Sequence, residues 1–417
     1  MYLLYSLLYA LALIFLLLPE YLKRPRELRG VWLRERFGFP AHEGDSSDGG
    51  CIWVHAVSVG EVAASVPLLK KLKELHPDIP LLLSTVTDTG RKIAMDRSPE
   101  GTTVVYLPFD LTSILKRFAS RIRPRILIVI ETELWPNLFK AMGDRDVPIV
   151  ILNGRISEKS SRRYRAVSFF MRKVFSDVKV FGMQGAPDGE RLKKMGAEPD
   201  KVIILGNFKF DLALPGEIPD WAAALDGPVI VAGSTFNGEE ELILAAYLRN
   251  VDRFPALKLI LAPRHPERFG EVEDMLRKRD VAFVKRSSLA AGSVDGASQY
   301  GVVLLDSLGE LASVYGAADI AIIGKSFIGH GGQNPLEPAY WGKVVLCGPH
   351  MGNFPFIKDF YREGAAFEVD ASDLAKRIRE LLVSPEKADE AGEKARRLFE
   401  ANSGAVARGV RIVGKYL

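Results

Sequence analysis

Short apolar runs alternate with amphipathic segments through most of the chain, and this pattern constrains the fold more than any other feature. Seven runs precede residue 211, at 52–57, 81–85, 104–107, 126–130, 149–153, 178–183 and 202–205. Several are continuous and rich in valine, isoleucine and leucine, as parallel strands that are buried on both faces should be. Helical segments such as 67–75 lie between them. The pattern predicts a doubly wound α/β domain over residues 51–211.

The alternation restarts after a break and predicts a second Rossmann-like domain at 228–384. Residues 212–227, LALPGEIPDWAAALDG, contain the proline, glycine and acidic residues of a linker. Six further apolar runs follow, at 229–232, 257–262, 281–284, 302–305, 319–323 and 344–347. A length of 417 residues also favours two domains over one. We expect the charged, helix-like run at 385–417 to return to the first domain.

The chain begins with a stretch that is long and apolar enough to nearly span a bilayer. Residues 1–18, MYLLYSLLYALALIFLLL, carry no charged side chain and would extend roughly 27 Å as a helix. A cleavable signal peptide is the main alternative, but the stretch lacks a basic start and a small-x-small cleavage site. We therefore predict a membrane anchor at 1–20, which either spans the bilayer or lies within it.

A basic segment at residues 21–50 follows the predicted anchor. Its arginines include Arg24, Arg26, Arg29, Arg34 and Arg36. Because cytoplasmic flanks of membrane segments are enriched in basic residues, the segment places the domains on the cytoplasmic face. The same arginines are candidates to bind anionic headgroups, and the alternative is a solvated flank.

Charge and cysteine content exclude several classes of function. The formal net charge of +4 argues against a dedicated nucleic-acid binder. Cys51 and Cys347 lie far apart and have no metal-type spacing, so neither a disulfide framework nor a zinc site is predicted. The Asp144-Arg145-Asp146 stretch is interpreted as a solvated turn. We predict no metal site.

Two acidic turns follow strands of the first domain. Ser58 precedes Glu61 by three residues, which is the capping-box pattern, but Glu61 would also lie at the ligand-binding edge of a parallel sheet. Both interpretations stay open on this segment alone. Glu131 and Glu133 follow a second strand, and we expect only one of them to face the crevice. Lys209, near the domain boundary, is a candidate to bind an anion. The alternative is that it is an ordinary surface lysine.

Three turns of the second domain predict a nucleotide pocket. Two of them follow the first and second strands of this domain, and the third is the glycine-rich stretch at 328–342, IGHGGQNPLEPAYWG. In the last of these, Asn334 is the predicted N-cap of a helix whose exposed amides suit a phosphate, although the glycines could simply form a turn. Arg264 can bind a phosphate or carboxylate through two hydrogen bonds. The candidate donor-binding residues are Ser234, Thr235, Arg264, His265, Gly331, Gly332, Asn334 and Glu337.

The motifs VHAVSVGE, VIETELWPN, GNFKFD, APRHPER and GGQNPLEP occur in this order over nearly the whole chain. Together they resemble those of the Kdo (3-deoxy-D-manno-octulosonic acid) transferases of lipopolysaccharide synthesis. The resemblance implies the GT-B glycosyltransferase fold, in which two Rossmann-like domains enclose a crevice, with an N-terminal membrane-anchor helix. It also implies transfer of Kdo from CMP-Kdo to a lipid A precursor at the cytoplasmic face of the bacterial inner membrane.

By the same resemblance, Glu61 is the general base and Glu131 a second essential carboxylate. The second-domain candidates hold the CMP group, Lys209 lies by the donor's charged groups, and the five arginines gain a role at the acceptor. Lys325 is a departure, since a second glycine is expected after Gly324. Because CMP carries a single phosphate, no metal cofactor is expected.

Two alternatives remain at this point. One keeps the GT-B fold but uses a UDP-sugar donor and another lipid acceptor. The other is a membrane-anchored protein that binds a glycolipid without turning it over. Competition between CMP and UDP distinguishes the two donors. Nucleotide binding itself distinguishes a transferase from the non-catalytic lipid binder, which needs no CMP pocket.

Overall fold

The computed structural model describes residues 1–40, 50–211, 216–289, 298–329 and 331–417. The chain divides into two α/β units: unit 1 is Met1–Leu212 with Asn402–Leu417, and unit 2 is Ala213–Ala401. The predicted linker opens unit 2, with residues 212–215 outside the described part. Of the predicted basic segment, 41–49 also lie outside it.

Unit 1 is built on a seven-stranded parallel sheet in the order β3-β2-β1-β4-β5-β6-β7. Its strands are β1 (Cys51–His55), β2 (Leu81–Thr85), β3 (Thr103–Tyr106), β4 (Pro124–Ile130), β5 (Ile149–Gly154), β6 (Val178–Met183) and β7 (Val202–Ile204). All seven coincide with predicted runs. The order of the first six is that of dinucleotide-binding folds, with the switch point between β1 and β4. The two strands pair in register, with His55 opposite Val129, so the turns that follow them are neighbours.

Helices cover both faces of this sheet. They are α1 (Tyr2–Lys23), α2 (Arg26–Arg36), α3 (Val59–Leu75), α4 (Asp88–Arg97), α5 (Thr112–Ile122), α6 (Pro136–Gly143), α7 (Glu158–Arg165), α8 (Ser168–Ser176) and α9 (Ala186–Met195). Successive residues of β1 alternate between two apolar cores, Trp53 in one and Ile52 and Val54 in the other. Burial on both faces explains why the strands are nearly continuous apolar runs.

Unit 2 has a second seven-stranded parallel sheet, in the order β10-β11-β9-β8-β12-β13-β14. Its strands are β8 (Val229–Thr235), β9 (Lys258–Pro263), β10 (Phe283–Lys285), β11 (Val302–Leu304), β12 (Ile320–Ile323), β13 (Val344–Cys347) and β14 (Ala366–Glu368). Its helices are α10 (Asp220–Ala223), α11 (Glu239–Val251), α12 (Phe269–Lys278), α13 (Leu311–Val314), α14 (Leu336–Tyr340), α15 (Ile357–Glu363), α16 (Leu374–Val383) and α17 (Pro385–Asn402). Short 3₁₀ helices occur in both units, at Pro199–Lys201, Phe208–Phe210, Pro266–Arg268, Arg286–Ser288 and Tyr315–Ala317.

The C-terminal run forms two helices rather than one. The first, α17, packs Phe399 against Tyr340 in unit 2, with ring centroids 5.7 Å apart. The second, α18 (Ala405–Val413), belongs to unit 1 and packs on its sheet. Asp211 accepts hydrogen bonds from the amides of Gly404 and Val406, so the last residue of the GNFKFD motif caps α18.

Two of the predicted membrane-contacting arginines are buried, which corrects that prediction. Arg24 is 8% exposed, lies 4.2 Å from the Trp32 ring centroid and pairs with Asp88 at 3.3 Å. Arg36, also 8% exposed, stacks over Phe109 at 4.2 Å and donates to the Leu107 carbonyl. Both guanidinium groups therefore stabilise the packing of the N-terminal helices on unit 1 instead of reaching headgroups.

The other three arginines are more accessible. Arg29 donates to the carbonyls of Arg24 and Leu22, which end α1, and Arg34 donates to those of Phe39 and Pro40 beyond α2. Arg26 is exposed in the first turn of α2. Arg26 and Arg34 remain candidates for contact with an anionic surface.

Candidate functional site

Glu61 lies in the first turn of α3, just beyond the carboxyl end of β1. Its carboxylate accepts hydrogen bonds from the Val57 amide and the Ser58 hydroxyl, each at 2.8 Å, and Ser58 Oγ accepts from the Glu61 amide at 3.4 Å. The capping interaction is therefore present. The carboxylate can still accept further hydrogen bonds or a proton, because each oxygen accepts one hydrogen bond here and has a second lone pair. Glu61 is 7% exposed, and this burial raises its pKa above the ordinary value while the hydrogen bonds oppose the shift.

Glu131 and Glu133 lie in the neighbouring turn, beyond β4. Burial, followed by the charge of Glu61, raises the pKa of both, so both carboxyl groups are within electrostatic reach of Glu61. Which of the two side chains faces the crevice stays a prediction. Glu131 adopts a left-handed conformation, with φ of 61°, and this breaks the alternation of side-chain direction that a strand would impose.

Two basic residues lie beside this carboxylate group. Lys209 and Arg155 both oppose the rise in the pKa of Glu131 that burial causes. Burial in turn lowers the pKa of Lys209, and the charge of Glu131 opposes this shift. The Arg155 amide donates to the Thr132 hydroxyl at 2.9 Å, which ties the turn after β5 to the turn after β4. Lys209 thus lies beside Glu131 in unit 1, and its contact with the donor stays a prediction.

Sequence reasoning missed Arg155 and His55. Arg155 follows β5 directly, and this position at the same sheet edge was the available signal. His55 is fully buried, with Nδ1 2.9 Å from Ser84 Oγ, and burial lowers its pKa to about 3. The imidazole is therefore neutral at physiological pH and supports the end of β1 rather than adding charge to the site.

Glu133→Gln is expected to stabilise the protein at high pH only. Burial, followed by the charges of Glu61 and Glu131, raises the pKa of Glu133 from 4.5 to about 7. This carboxyl group therefore contributes stability below about pH 4.5, and the contribution is lost as pH rises through about 7. Glutamine cannot ionise, so the variant should exceed the wild type by about 1–3 kcal/mol at pH 8 and by much less at pH 5. Urea unfolding at both values measures this, with exposed Glu74→Gln as control. An equal difference at pH 5 and pH 8 would refute the ionisation argument.

A cavity of about 270 Å³ in unit 2 brings together four predicted donor-binding residues. Ser234, Arg264, Asn334 and Glu337 line it. They are joined by residues that the sequence analysis did not identify, Gly309, Leu311, Ala312, Tyr315 and Gln333. The turns after β8 and β9 and the glycine-rich stretch thus converge on one cavity, as the parallel sheet predicts.

The glycine-rich stretch differs in detail from the prediction. Helix α14 begins at Leu336 and has only five residues. Its N-cap is Pro335, which corrects the prediction of Asn334. Asn334 Oδ1 nevertheless accepts from the Leu336 amide at 3.1 Å, and its Nδ2 donates to Glu337 at 3.2 Å. Burial raises the pKa of Glu337, and the charge of Arg264 opposes this shift.

The remaining predicted donor-binding residues do not line the cavity. Thr235 is fully buried and donates to Glu240 at 2.7 Å, so its hydroxyl is used structurally, which corrects that prediction. His265 is about half exposed beside Glu267. Gly331 and Gly332 have φ of 104° and 69°, and a Cβ on either would collide with the segment at 351–353. These two glycines are thus required by backbone conformation and close packing; His330, next to them, lies outside the described residues.

Glu239 connects the turn after β8 to the turn after β12. It is fully buried in the first turn of α11 and accepts hydrogen bonds from the amides of Phe236 (2.9 Å), Lys325 (2.5 Å) and Phe327 (2.9 Å). Lys325, where a glycine was expected, has φ of 57°, and its Nζ lies 5.4 Å from the Phe236 ring centroid. The carboxylate thus fixes a backbone conformation that is unusual for lysine.

Solved structures show that this architecture is the GT-B fold. The chain is similar to CalG4, the calicheamicin glycosyltransferase, with a TM-score of 0.53 and 13% identity over 88% of this chain and 98% of CalG4. At this identity the likeness establishes the fold alone. Two parallel α/β units and the N-terminal apolar helix confirm the predicted fold class.

Sequence comparison then identifies the family. The 3-deoxy-D-manno-octulosonic-acid transferase (kdotransferase) family matches residues 32–212. A 3-deoxy-D-manno-octulosonic acid transferase of Haemophilus influenzae is 35% identical over 394 residues, covering 92% of this chain and 91% of the relative. One of Bordetella pertussis is 33% identical over 407 residues, covering 93% and 92%. The chain belongs to the Kdo transferase family, and the resemblance seen in its motifs is confirmed.

Proposed function

We propose that this protein transfers Kdo from CMP-Kdo to a lipid A precursor, with Glu61 as the general base. The observation that carries the proposal is the buried Glu61 carboxylate at the carboxyl edge of the unit 1 sheet, in a chain of the Kdo transferase family. Burial raises the pKa of Glu61 and so makes its carboxylate a better proton acceptor once ionised.

The unit 2 cavity is the proposed site of the CMP group. Arg264 supplies a guanidinium that suits a phosphate, and Ser234 and Asn334 supply neutral hydrogen-bonding groups. Glu337 is placed to accept hydrogen bonds from ribose hydroxyls. A leaving group with one phosphate can depart with this stabilisation, so the proposed reaction needs no metal. Among the described residues, no group of three or more histidine, cysteine, aspartate or glutamate side chains could hold a metal ion.

The proposed step is a single displacement at the anomeric carbon of Kdo. Glu61 accepts the proton of an acceptor hydroxyl as its oxygen forms the new glycosidic bond. The bond between the anomeric carbon and the phosphate oxygen breaks, and CMP leaves with the electron pair. Glu131 is the proposed second carboxylate, and Lys209 the cation beside it that limits the accumulation of negative charge.

The proposed acceptor and location follow from the membrane features. A lipid A precursor is a phosphorylated glycolipid, and Arg26 and Arg34 are accessible for an anionic group near α1. We place the catalytic units at the cytoplasmic face of the inner membrane and expect no nucleic-acid partner.

Nucleotide-dependent thermal stabilisation tests the donor. CMP at about ten times its dissociation constant should raise the melting temperature by roughly 3–5 °C, and UDP at equal concentration by much less. Arg264→Ala should remove the rise in melting temperature that CMP causes. Arg279 is an exposed arginine at the end of α12, and Arg279→Ala should preserve that rise. Stronger stabilisation by UDP would support a UDP-sugar donor. No stabilisation by either nucleotide would support a non-catalytic glycolipid binder.

A further inference from the structure

One face of α1 packs on unit 1 along the full length of the helix. The partly buried apolar residues on this face recur every three or four positions, at Tyr2, Tyr5, Tyr9, Leu13, Leu17 and Tyr21. This spacing defines a single stripe. The helix has 22 residues, so the stripe is about 30 Å long. No part of α1 extends free of the domain.

Specific contacts fix both ends of this stripe. The Tyr2 ring meets Phe170 of α8 edge-on, with centroids 5.4 Å apart, and the Tyr5 hydroxyl donates to Asp110 at 2.8 Å. Asp110 is 1% exposed, so losing Tyr5 would remove a partner from a buried carboxyl group. At the other end, Tyr21 lies 6.4 Å from Trp32 of α2. Through these polar and aromatic contacts, this face of α1 packs against protein rather than lipid.

The opposite face of α1 is apolar and uncovered. Its large side chains are each more than half exposed: Leu3, Leu4, Leu7, Leu8, Leu11, Ile14, Phe15, Leu16, Leu18 and Leu22. No charged residue occurs in the helix before Glu20. Soluble proteins rarely leave a contiguous apolar surface of this size in water.

A second exposed surface of apolar and basic side chains lies on the α7–α8 hairpin at residues 158–176. Helix α8 lies beside the first turn of α1, where the Tyr2 hydroxyl donates to the Lys173 carbonyl at 3.4 Å. Val167 and Phe169 of the hairpin are 40% and 63% exposed. Exposed basic residues surround them in sequence: Arg162, Arg163, Arg165, Arg172 and Lys173. Such a surface is complementary to an anionic lipid surface, because the apolar side chains can contact acyl chains while the arginines bind the phosphates of the headgroups.

We infer that α1 lies in the plane of the membrane, docked on unit 1, and that the α7–α8 hairpin is a second contact with anionic lipid. A helix that spans the bilayer meets lipid around most of its circumference, whereas α1 has one face for lipid and one for protein. The inference rests on the proposed membrane location and is independent of the donor and the reaction.

Depth measurements on the full chain distinguish this orientation from a span. An environment-sensitive fluorophore is attached to one introduced cysteine at a time, in Leu3→Cys, Leu11→Cys or Leu22→Cys. The native Cys51 and Cys347 are buried and should not react with the label. The protein is bound to vesicles of phosphatidylethanolamine and phosphatidylglycerol that contain a shallow or a deep quencher. An in-plane helix predicts similar quenching at all three sites, strongest with the shallow quencher. Leu248→Cys, exposed in unit 2, is the control and should stay unquenched.

Two results would overturn the orientation. Strong deep quenching at Leu11 with shallow quenching at Leu3 and Leu22 would identify a span. No quenching at any site, together with a dimer in sedimentation, would show that the apolar face pairs with a second copy of the chain.

Partitioning onto the same vesicles tests the hairpin. Phe169→Ser and the double variant Arg163→Gln/Arg165→Gln should each weaken binding about 5–20-fold, the second mainly at low salt. Leu248→Ser should change binding less than twofold. CMP-dependent thermal stabilisation of each variant separates a loss of lipid contact from a failure of the proposed function or of folding. Unchanged binding of both hairpin variants would remove α7–α8 from the membrane contact.

Discussion

Glu239→Ala is expected to lower the stability of unit 2 by about 3–4 kcal/mol and to abolish CMP binding. The fully buried carboxylate accepts hydrogen bonds from four backbone amides in two turns, those of Phe236, Lys325, Phe327 and Ile328, and alanine would remove this acceptor from all four. Those turns begin at the ends of β8 and β12. Their displacement would move Ser234, which lines the unit 2 cavity.

Calorimetry measures this effect, because the transition that CMP shifts reports on unit 2. The variant should melt roughly 6–15 °C lower in that transition. Glu241→Ala provides a matched control on the same helix, since its carboxylate is about 58% exposed and lies 3.8 Å from Arg279. The control should change stability by less than about 0.5 kcal/mol. Normal melting and CMP binding in Glu239→Ala would show that the amides find other acceptors and that the turns do not depend on this carboxylate.

Thirteen of the fourteen strands in the described residues were predictable, because each is a short apolar run, and most of these runs are buried on both faces of a sheet. The missed strand, β14 (Ala366–Glu368), has three residues, lies at the sheet edge and ends in an exposed glutamate. It therefore has neither the length nor the composition of a buried strand. The same physics made the carboxyl edges of the sheets predictable, and with them the positions of Glu61, Glu131 and Arg264.

Side-chain environments were less predictable than positions. A run of arginines predicts a charged surface, but Arg24 stacks on Trp32 and Arg36 stacks on Phe109. These pairs come together only because α1 and α2 pack on unit 1. Thr235 ends β8 beside Ser234, yet its hydroxyl donates to Glu240 instead of lining the cavity. The sequence gives no sign of which of two adjacent hydroxyl groups faces a cavity.

Glu61→Gln is expected to reduce Kdo transfer by about 10²–10⁴-fold while leaving stability nearly unchanged. Glutamine keeps one carbonyl oxygen to accept from the Val57 amide, and its NH₂ group can donate to Ser58 Oγ in place of the present contact. The helix start is thus preserved, but the side chain cannot accept a proton at neutral pH. The substitution separates capping from chemistry.

The measurement is transfer of labelled Kdo from CMP-Kdo to a lipid A precursor by wild-type and Glu61→Gln proteins, with a melting curve on each preparation. Glu74→Gln, an exposed substitution on the same helix, is the control. The proposed mechanism predicts wild-type transfer with release of CMP, a loss of at least 100-fold in Glu61→Gln and melting temperatures within about 2 °C. Transfer by Glu61→Gln within a few-fold of wild type would contradict the assignment of Glu61 as the base.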